Sequence, residues 1–337
     1  MSHPASDDRW FIQLWQLALN AEAADLHLTS GLAALIRVRG ELIPIVDAPV
    51  CPALPWSGLA AYLNHAEAQT LLLGQCHGEV DGALDHPTLG RARWSLARCQ
   101  HGLLCVMRLI KPQIPSLADV QLDTELAKKL LPSHGLVLIT GATGSGKSST
   151  LAALIDFYRH TRGGHIITLE DPIEFRYGDS PGRVSQREMG RDSPSFAHAI
   201  RSALRQDPDV IMLGELRDLD TARMALTAAE TGHLVLSTLH TASAVGAIDR
   251  LLNLFPANEH ALAQTLIGDT LTGVLSQQLH WRNNKATVIR EVLLATPAVR
   301  HLIREHRLNQ LENVMQTSAG MGMQTYAQAW QRSGLNT

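Results

Sequence analysis

The chain has 337 residues, 45% of them hydrophobic and 18% charged, with a formal net charge of −3. That length predicts about two domains, and that composition describes a soluble globular protein rather than a disordered one. There is no basic excess for nucleic-acid binding, and every apolar run is broken well short of a membrane span, so neither nucleic acid nor direct membrane insertion is expected. The opening MSHPASDDRWFIQLWQ carries acids where a signal peptide needs a basic region. The cysteines Cys51, Cys76, Cys99 and Cys105 show no CxxC spacing and read as reduced thiols of a cytoplasmic protein. No HExxH zinc signature occurs among the histidines.

In chain order, Trp10–Ala23 has amphipathic helical spacing, Leu35–Val46 reads as a hairpin turning near Arg39-Gly40, and Leu59–Leu73 as a second helix. Arg91–Leu109 reads as two strands turning near His101-Gly102. Together these predict a small α+β domain over 1–112. The stretch Lys111–Ser116 carries Pro112 and Pro115, which oppose both helix and central strand, and marks the linker. Over 113–337 strand and helix signals alternate. Leu136–Thr140, Ile166–Glu170, Val210–Leu213 and Leu234–Leu239 read as strands; Ser148–His160, Ser195–Arg205 and Thr221–Glu230 read as helices. That alternation predicts a parallel sheet covered by helices. From about 260 to 337 the pattern is mainly helical, apart from a strand pair around Gln278–Leu294.

The motif with the strongest chemical meaning is Gly141-Ala142-Thr143-Gly144-Ser145-Gly146-Lys147-Ser148, followed by Ser149 and a helical pattern. Behind the apolar run Leu136–Thr140 it fits G-x-x-x-x-G-K-[ST], a loop whose backbone N–H groups cradle phosphates. Lys147 is expected to reach the β- and γ-phosphates and Ser148 to ligate Mg²⁺, so ATP with Mg²⁺ is the expected ligand.

Ligands of a parallel α/β sheet sit at the carboxyl ends of its strands, and three further strand ends carry suitable groups. In Thr168–Glu174 (TLEDPIE), Glu170, Asp171 and Glu174 either hold Mg²⁺ through water or shape the site; an Asp-Pro surface turn is the rival reading. In Asp209–Glu215 (DVIMLGE), Glu215 is the residue expected to orient the attacking water, from a strand expected beside the phosphate-loop strand. In Thr231–Thr241 (TGHLVLSTLHT), His233 and His240 bracket one strand and fit either buried core histidines or a γ-phosphate sensor.

These boxes, GATGSGKS, TLEDPIE, DPDVIMLGELRD and AAETGHLVLSTLHTASA, together resemble the ATPases of the type II/IV secretion superfamily, and within it the type IV pilus retraction ATPases. The resemblance runs nearly end to end. It includes Ala24–Leu28 with Ile36–Gly40, Ala298–Glu305 (AVRHLIRE), and the tail from Gln316-Thr317 to Gly322–Thr325 (GMQT). Extension and type II secretion motors usually carry a further N-terminal domain and a four-cysteine loop, neither of which is found here. Departures exist: Arg91–Ser95 and Met107–Lys111 differ from the family's strands at those positions.

The resemblance implies a PAS-like α+β N-terminal domain and a RecA-like ATPase domain with a helical C-terminal part. It implies a homohexamer with nucleotide between domains, cytoplasmic and peripheral at the inner membrane through a pilus platform protein, with a second pilus ATPase as a further partner. The implied work is pilus retraction by ATP hydrolysis; the alternatives are a type II/IV secretion motor or a non-hydrolysing regulator of a pilus ATPase. It places phosphate-contacting arginines at Arg93, Arg108, Arg187 and Arg201, for each of which a solvated face or ion pair is the rival reading. In Ala298–Glu305, spacing puts Val299, Leu302 and Ile303 on one helical face and Arg300 and Arg304 on another, predicting an exposed basic surface.

Overall fold

A computed structural model describes residues 9–53, 56, 59, 62–63, 66–73, 78–110, 113–178, 181–282 and 285–334. Cys76, Lys111, Pro112 and parts of the helix expected over 59–73 lie outside the described residues. The chain divides into two compact units, Met1–Gln113 and Ile114–Thr337.

The first unit begins with helix α1 (Arg9–Asn20), whose Phe11, Leu14, Trp15 and Ala18 are fully buried. That i, i+3, i+4, i+7 spacing turns one face to the core, and each large side chain there contributes about 1.5–3 kcal/mol on burial. Strands β1 (Asp25–Thr29), β2 (Leu35–Val38) and β3 (Glu41–Pro44) follow, then α2 (Ala66–Leu72), β4 (Glu79–His86), β5 (Gly90–Cys99) and β6 (Gly102–Ile110). The strands form one antiparallel sheet, order β3-β2-β1-β6-β5-β4. Its inner face takes alternate residues: Leu26 and Leu28 of β1, Ala92, Trp94 and Leu96 of β5, and Leu103, Cys105 and Met107 of β6. The two hairpins turn at the positions read from the sequence. Strand β4 escapes that reading because Leu84 is its one buried residue.

The second unit contains α3 (Thr124–Leu130), β7 (Gly135–Thr140), α4 (Lys147–Arg162), β8 (His165–Glu170), β9 (Arg183–Glu188), α5 (Phe196–Ala203), β10 (Val210–Leu213), α6 (Leu219–Glu230) and β11 (Leu234–Leu239). It continues with α7 (Ala244–Leu252), α8 (His260–Thr270), β12 (Leu271–Arg282), β13 (Lys285–Leu294), α9 (Pro297–Arg304), α10 (Leu311–Thr317) and α11 (Tyr326–Ser333). The sheet order is β13-β12-β7-β11-β10-β8-β9, parallel throughout except for β13. Every residue of β7, β10 and β11 is buried, as a parallel sheet covered on both faces requires. Among the described residues no helix is long and apolar enough to cross a membrane.

One expectation about this sheet is corrected. The strand leading to Glu215, β10, does not lie beside the phosphate-loop strand β7; β11 is inserted between them and β12 takes the other side. Glu215 is therefore offset by two strand spacings, roughly 10 Å. The strand pair expected near residue 278 also starts earlier, at Leu271, and β12 enters the parallel sheet directly against β7.

Candidate nucleotide-binding site

The loop between β7 and α4 is shaped by glycine. Gly141, Gly144 and Gly146 have φ of 144°, 80° and 85°, conformations that turn successive peptide N–H groups into a concave anion site. Gly146 is the N-cap of α4 and no side chain caps the helix, so its first N–H groups and positive dipole end are left for an anion. Lys147 is buried, and its Nζ folds back onto the carbonyls of Gly141 (2.8 Å) and Ala142 (3.0 Å). Burial lowers its pKa, while the charges of Glu215 and Glu174 work in the opposite sense.

Around the same loop, Ala142, Thr143 and Gly144 are exposed, and Ser148 and Ser149 are half-buried in the first turn of α4. The Ser145 hydroxyl is buried and makes no hydrogen bond. Among the described residues no cluster of three or more His, Cys, Asp or Glu offers a self-contained cation site. A single Ser148 hydroxyl beside phosphate oxygens suits Mg²⁺, which keeps several waters and takes few protein ligands. The donor set thus fits a phosphate chain that brings its own Mg²⁺.

Glu215 is largely shielded and follows β10 after Gly214. Its backbone is fixed from both sides: Gly214 N donates to Leu169 O at 2.8 Å, Leu216 N donates to Thr238 O at 3.1 Å, and the Thr238 hydroxyl donates to Gly214 O at 2.5 Å. The carboxylate pairs with Arg217, and His240 Nε2 lies 3.5 Å from its Oε2. That hydrogen bond to Glu215 is the main reason the Arg217 pKa is raised.

Glu170 is buried at the end of β8. Its Oε1 accepts from the Thr168 hydroxyl (2.6 Å) and Gln186 Nε2 (3.1 Å), and its Oε2 accepts from Glu174 N (3.3 Å). Burial raises its pKa against the pull of these donors. Asp171 is exposed and follows directly, within electrostatic reach of Arg217.

Other expected site residues stand elsewhere. His233 precedes β11 at the amino end of the strand, its carbonyl accepting from Gly135 N, whereas His240 follows the carboxyl end. The two are about 20 Å apart, so within this unit only His240 shares the edge of the phosphate loop. Arg187 lies on the edge strand β9, its guanidinium bonded to Ser202 (3.2 Å) and Gln206 beside α5. Arg201 is exposed on α5. Arg187 is not brought to the loop in this unit, because β9 is four strands from β7, roughly 19 Å. In the first unit, Arg93 and Arg108 face each other across β5 and β6, and Arg108 Nε bonds Asp25 Oδ1 at 3.0 Å. Asp25 offsets the repulsion of like charges set directly opposite.

On α9, Val299, Leu302 and Ile303 are buried and Arg304 is exposed, as expected, but Arg300 is half-buried and both arginines are engaged. Arg300 Nε donates to Ala295 O (3.0 Å), and its Nη1 donates to Gly268 O (2.7 Å) and Asp269 O (2.5 Å). Arg304 pairs with Asp269. Both arginines close the carboxyl end of α8, where terminal carbonyls attract cations. The GMQT tail is likewise structural in its contacts: Met323 is fully buried, Gln324 bridges to Val292, and Thr325 caps α11 with a capping box.

Sequence reasoning did not single out Gln277, Arg217, Thr168 or Gln186. Gln277 sits in the middle of β12, one residue past Ser276, which pairs with Thr140 at the end of β7, so only the sheet register marks it. Arg217 is set by its salt bridge alone and Gln186 by a sheet neighbour distant in sequence, which no local pattern displays.

A family model described as "Type II/IV secretion system protein" matches residues 91–287. The chain is 39% identical over 322 residues to "Type IV pilus retractation ATPase PilT" of Pseudomonas aeruginosa, covering 92% of this chain and 90% of that protein. It is 42% identical over 318 residues to "Uncharacterized protein YggR" of Escherichia coli, covering 94% and 95%. Among solved structures, "Crystal Structure of the Pilus Retraction Motor PilT and Bound ADP" superposes with a TM-score of 0.85 at 35% identity, over 96% of this chain and 92% of that one. The chain belongs to the type II/IV secretion system protein family. Its fold is that of the family's ATPases, an α+β N-terminal domain followed by a RecA-like ATPase domain.

Proposed function

We propose that this chain is the ATP-hydrolysing motor of type IV pilus retraction. The observation that carries the reading is that an uncapped phosphate loop with Lys147 and a backbone-fixed carboxylate, Glu215, share one sheet edge in a chain so similar to a retraction ATPase. The N–H groups of 141–148 and Lys147 bind and orient the triphosphate. Lys147 exchanges its two loop carbonyls for phosphate oxygens, and Ser148 would hold Mg²⁺, which would supply charge neutralisation when bound.

Glu215 accepts a proton from, and aligns, the attacking water; His240 and Arg217 fix its orientation. Glu170 and Asp171 shape the water layer beside it. Arg93 and Arg108, with Arg187 and Arg201 as further candidates, supply the additional positive charge that phosphoryl transfer needs. The working form is a homohexamer on the cytoplasmic side of the inner membrane, reaching the pilus through a platform protein.

Steady-state phosphate release and light scattering test this reading together. Wild type is expected to hydrolyse ATP with an activity that rises as hexamer forms, and Lys147→Ala to lose nucleotide binding. A fully active monomer, or undiminished hydrolysis by Lys147→Ala, would reject it.

A further inference from the structure

A hydrogen-bond chain leads from the back of the phosphate loop to a distant part of the second unit. Gln277, buried on β12, donates from Nε2 to the Ser145 carbonyl within the loop at 2.7 Å. Its Oε1 accepts from the Thr150 hydroxyl on α4 at 3.0 Å. A Cβ placed on Gly146 would sit 3.3 Å from Gln277 Nε2, and one on Gly141 would collide with the Gln277 carbonyl. The glutamine is therefore seated against both ends of the loop.

The Thr150 oxygen accepts in turn from Arg290 Nη2 on β13, 3.4 Å away. Arg290 is buried, and its guanidinium also donates to the carbonyls of Gln121 (2.7 Å) and Val120. Among the described residues no carboxylate forms an ion pair with it, an expensive arrangement for a desolvated cation. What this cation holds is a strained segment. Gln121 has φ of 53°, and its side-chain amide closes on the outer edge of β13, Nε2 donating to Ala286 O (2.9 Å) and Val288 N donating to Oε1 (3.0 Å). This segment opens the second unit, immediately after the chain leaves the first.

We propose that Gln277, Thr150 and Arg290 form a relay that couples nucleotide occupancy of the phosphate loop to the hold on residues 116–122, with Arg290 as the positioning residue at its far end. The proposal rests on the nucleotide reading of the loop. Phosphate binding orders and polarises the loop peptides, including the Ser145 carbonyl that anchors Gln277. Each bond along a buried chain strengthens with its neighbour, so ligand at one end tightens the clamp at the other, as a coupling between sites demands.

Hydrogen exchange on the full chain, with and without saturating ADP, tests this. In wild type, ADP is expected to slow exchange of the amides over 118–122 by about 10-fold, a typical coupling factor. Thr150→Val, nearly isosteric, interrupts the relay while leaving the Arg290 contacts to Val120 and Gln121, and should reduce that ratio below about 2-fold. Arg290→Gln should do the same, and Arg290→Lys should restore part of it. A residue that merely supports the fold would speed exchange in both states and leave the ratio unchanged. ADP binding without slowing over 118–122, or full slowing in Thr150→Val, overturns the relay alone. Failure of wild type to bind ADP overturns the nucleotide reading and the relay with it.

Discussion

His240 and Glu215 approach each other to 3.5 Å at the carboxyl edge of the second sheet, one following β11 and the other β10. With Arg217 on its other oxygen, the Glu215 carboxylate is oriented from two directions. Removing one orienting group misplaces a catalytic group without deleting it. His240→Ala is therefore expected to lower ATP turnover about 10-fold or more with little change in KM. Steady-state phosphate release across ATP concentrations reads this, and a change in KM alone would assign His240 to binding.

Lys147 makes nucleotide affinity pH-dependent. Its pKa lies below the ordinary lysine value of 10.5 because it is buried. In the free protein this depressed pKa makes the cation costly: stability is lower below the folded pKa and recovers as pH rises through it. Binding shows the opposite trend, because phosphate requires the charged form. Affinity for ADP is expected to be constant near neutrality and to fall as pH rises toward the ordinary lysine range. Fluorescent-ADP titration checks this, with Lys147→Arg, which stays charged, expected to flatten the fall.

Two loop glycines separate steric need from conformational need. Gly141 has φ of 144°, and a Cβ there would collide with the Gln277 carbonyl and the Ser145 hydroxyl. Gly144 has φ of 80° but open space around it. Gly144→Ala is expected to cost about 1–2 kcal/mol and to keep ADP binding. Gly141→Ala must displace β12 or the loop and should abolish binding. Calorimetric titration and thermal melts distinguish them, and equal effects would contradict the close packing of Gln277 behind the loop.

The arginines of α9 should act first on stability. Arg300 donates to the terminal carbonyls of α8 from a half-buried position, so Arg300→Ala is expected to destabilise the second unit by about 1–2 kcal/mol. Arg304 pairs with Asp269 at an exposed site, and Arg304→Ala should cost about 0.5 kcal/mol or less, diminishing with salt. Denaturant midpoints decide this. Unchanged stability in Arg300→Ala would return the segment to the role of a free basic surface.

Much of this architecture was legible because it is local. The phosphate loop needs its glycines and Lys147 in sequence, and β7, β10 and β11 announce themselves as short fully apolar runs. The hairpins of the first unit turn at Arg39-Gly40 and His101-Gly102, where both glycines take positive φ. Sheet order was not legible, because whether β11 or β10 lies beside β7 depends on long-range packing that no single segment encodes. Strand β9 was missed since, at the sheet edge, Arg183–Glu188 carries mostly polar side chains. His233 and His240 looked equivalent in sequence, and only the direction of β11 separates them.

Whether ATP hydrolysis at this site powers pilus retraction is decided by imaging labelled pili in cells whose only copy of this chain carries Glu215→Gln. The substituted protein should still bind ATP, because the loop and Lys147 are intact, while pili extend and fail to retract; the wild-type chain in the same cells should restore retraction. Normal retraction in the Glu215→Gln cells, with ATP binding verified on the purified protein, would contradict the account.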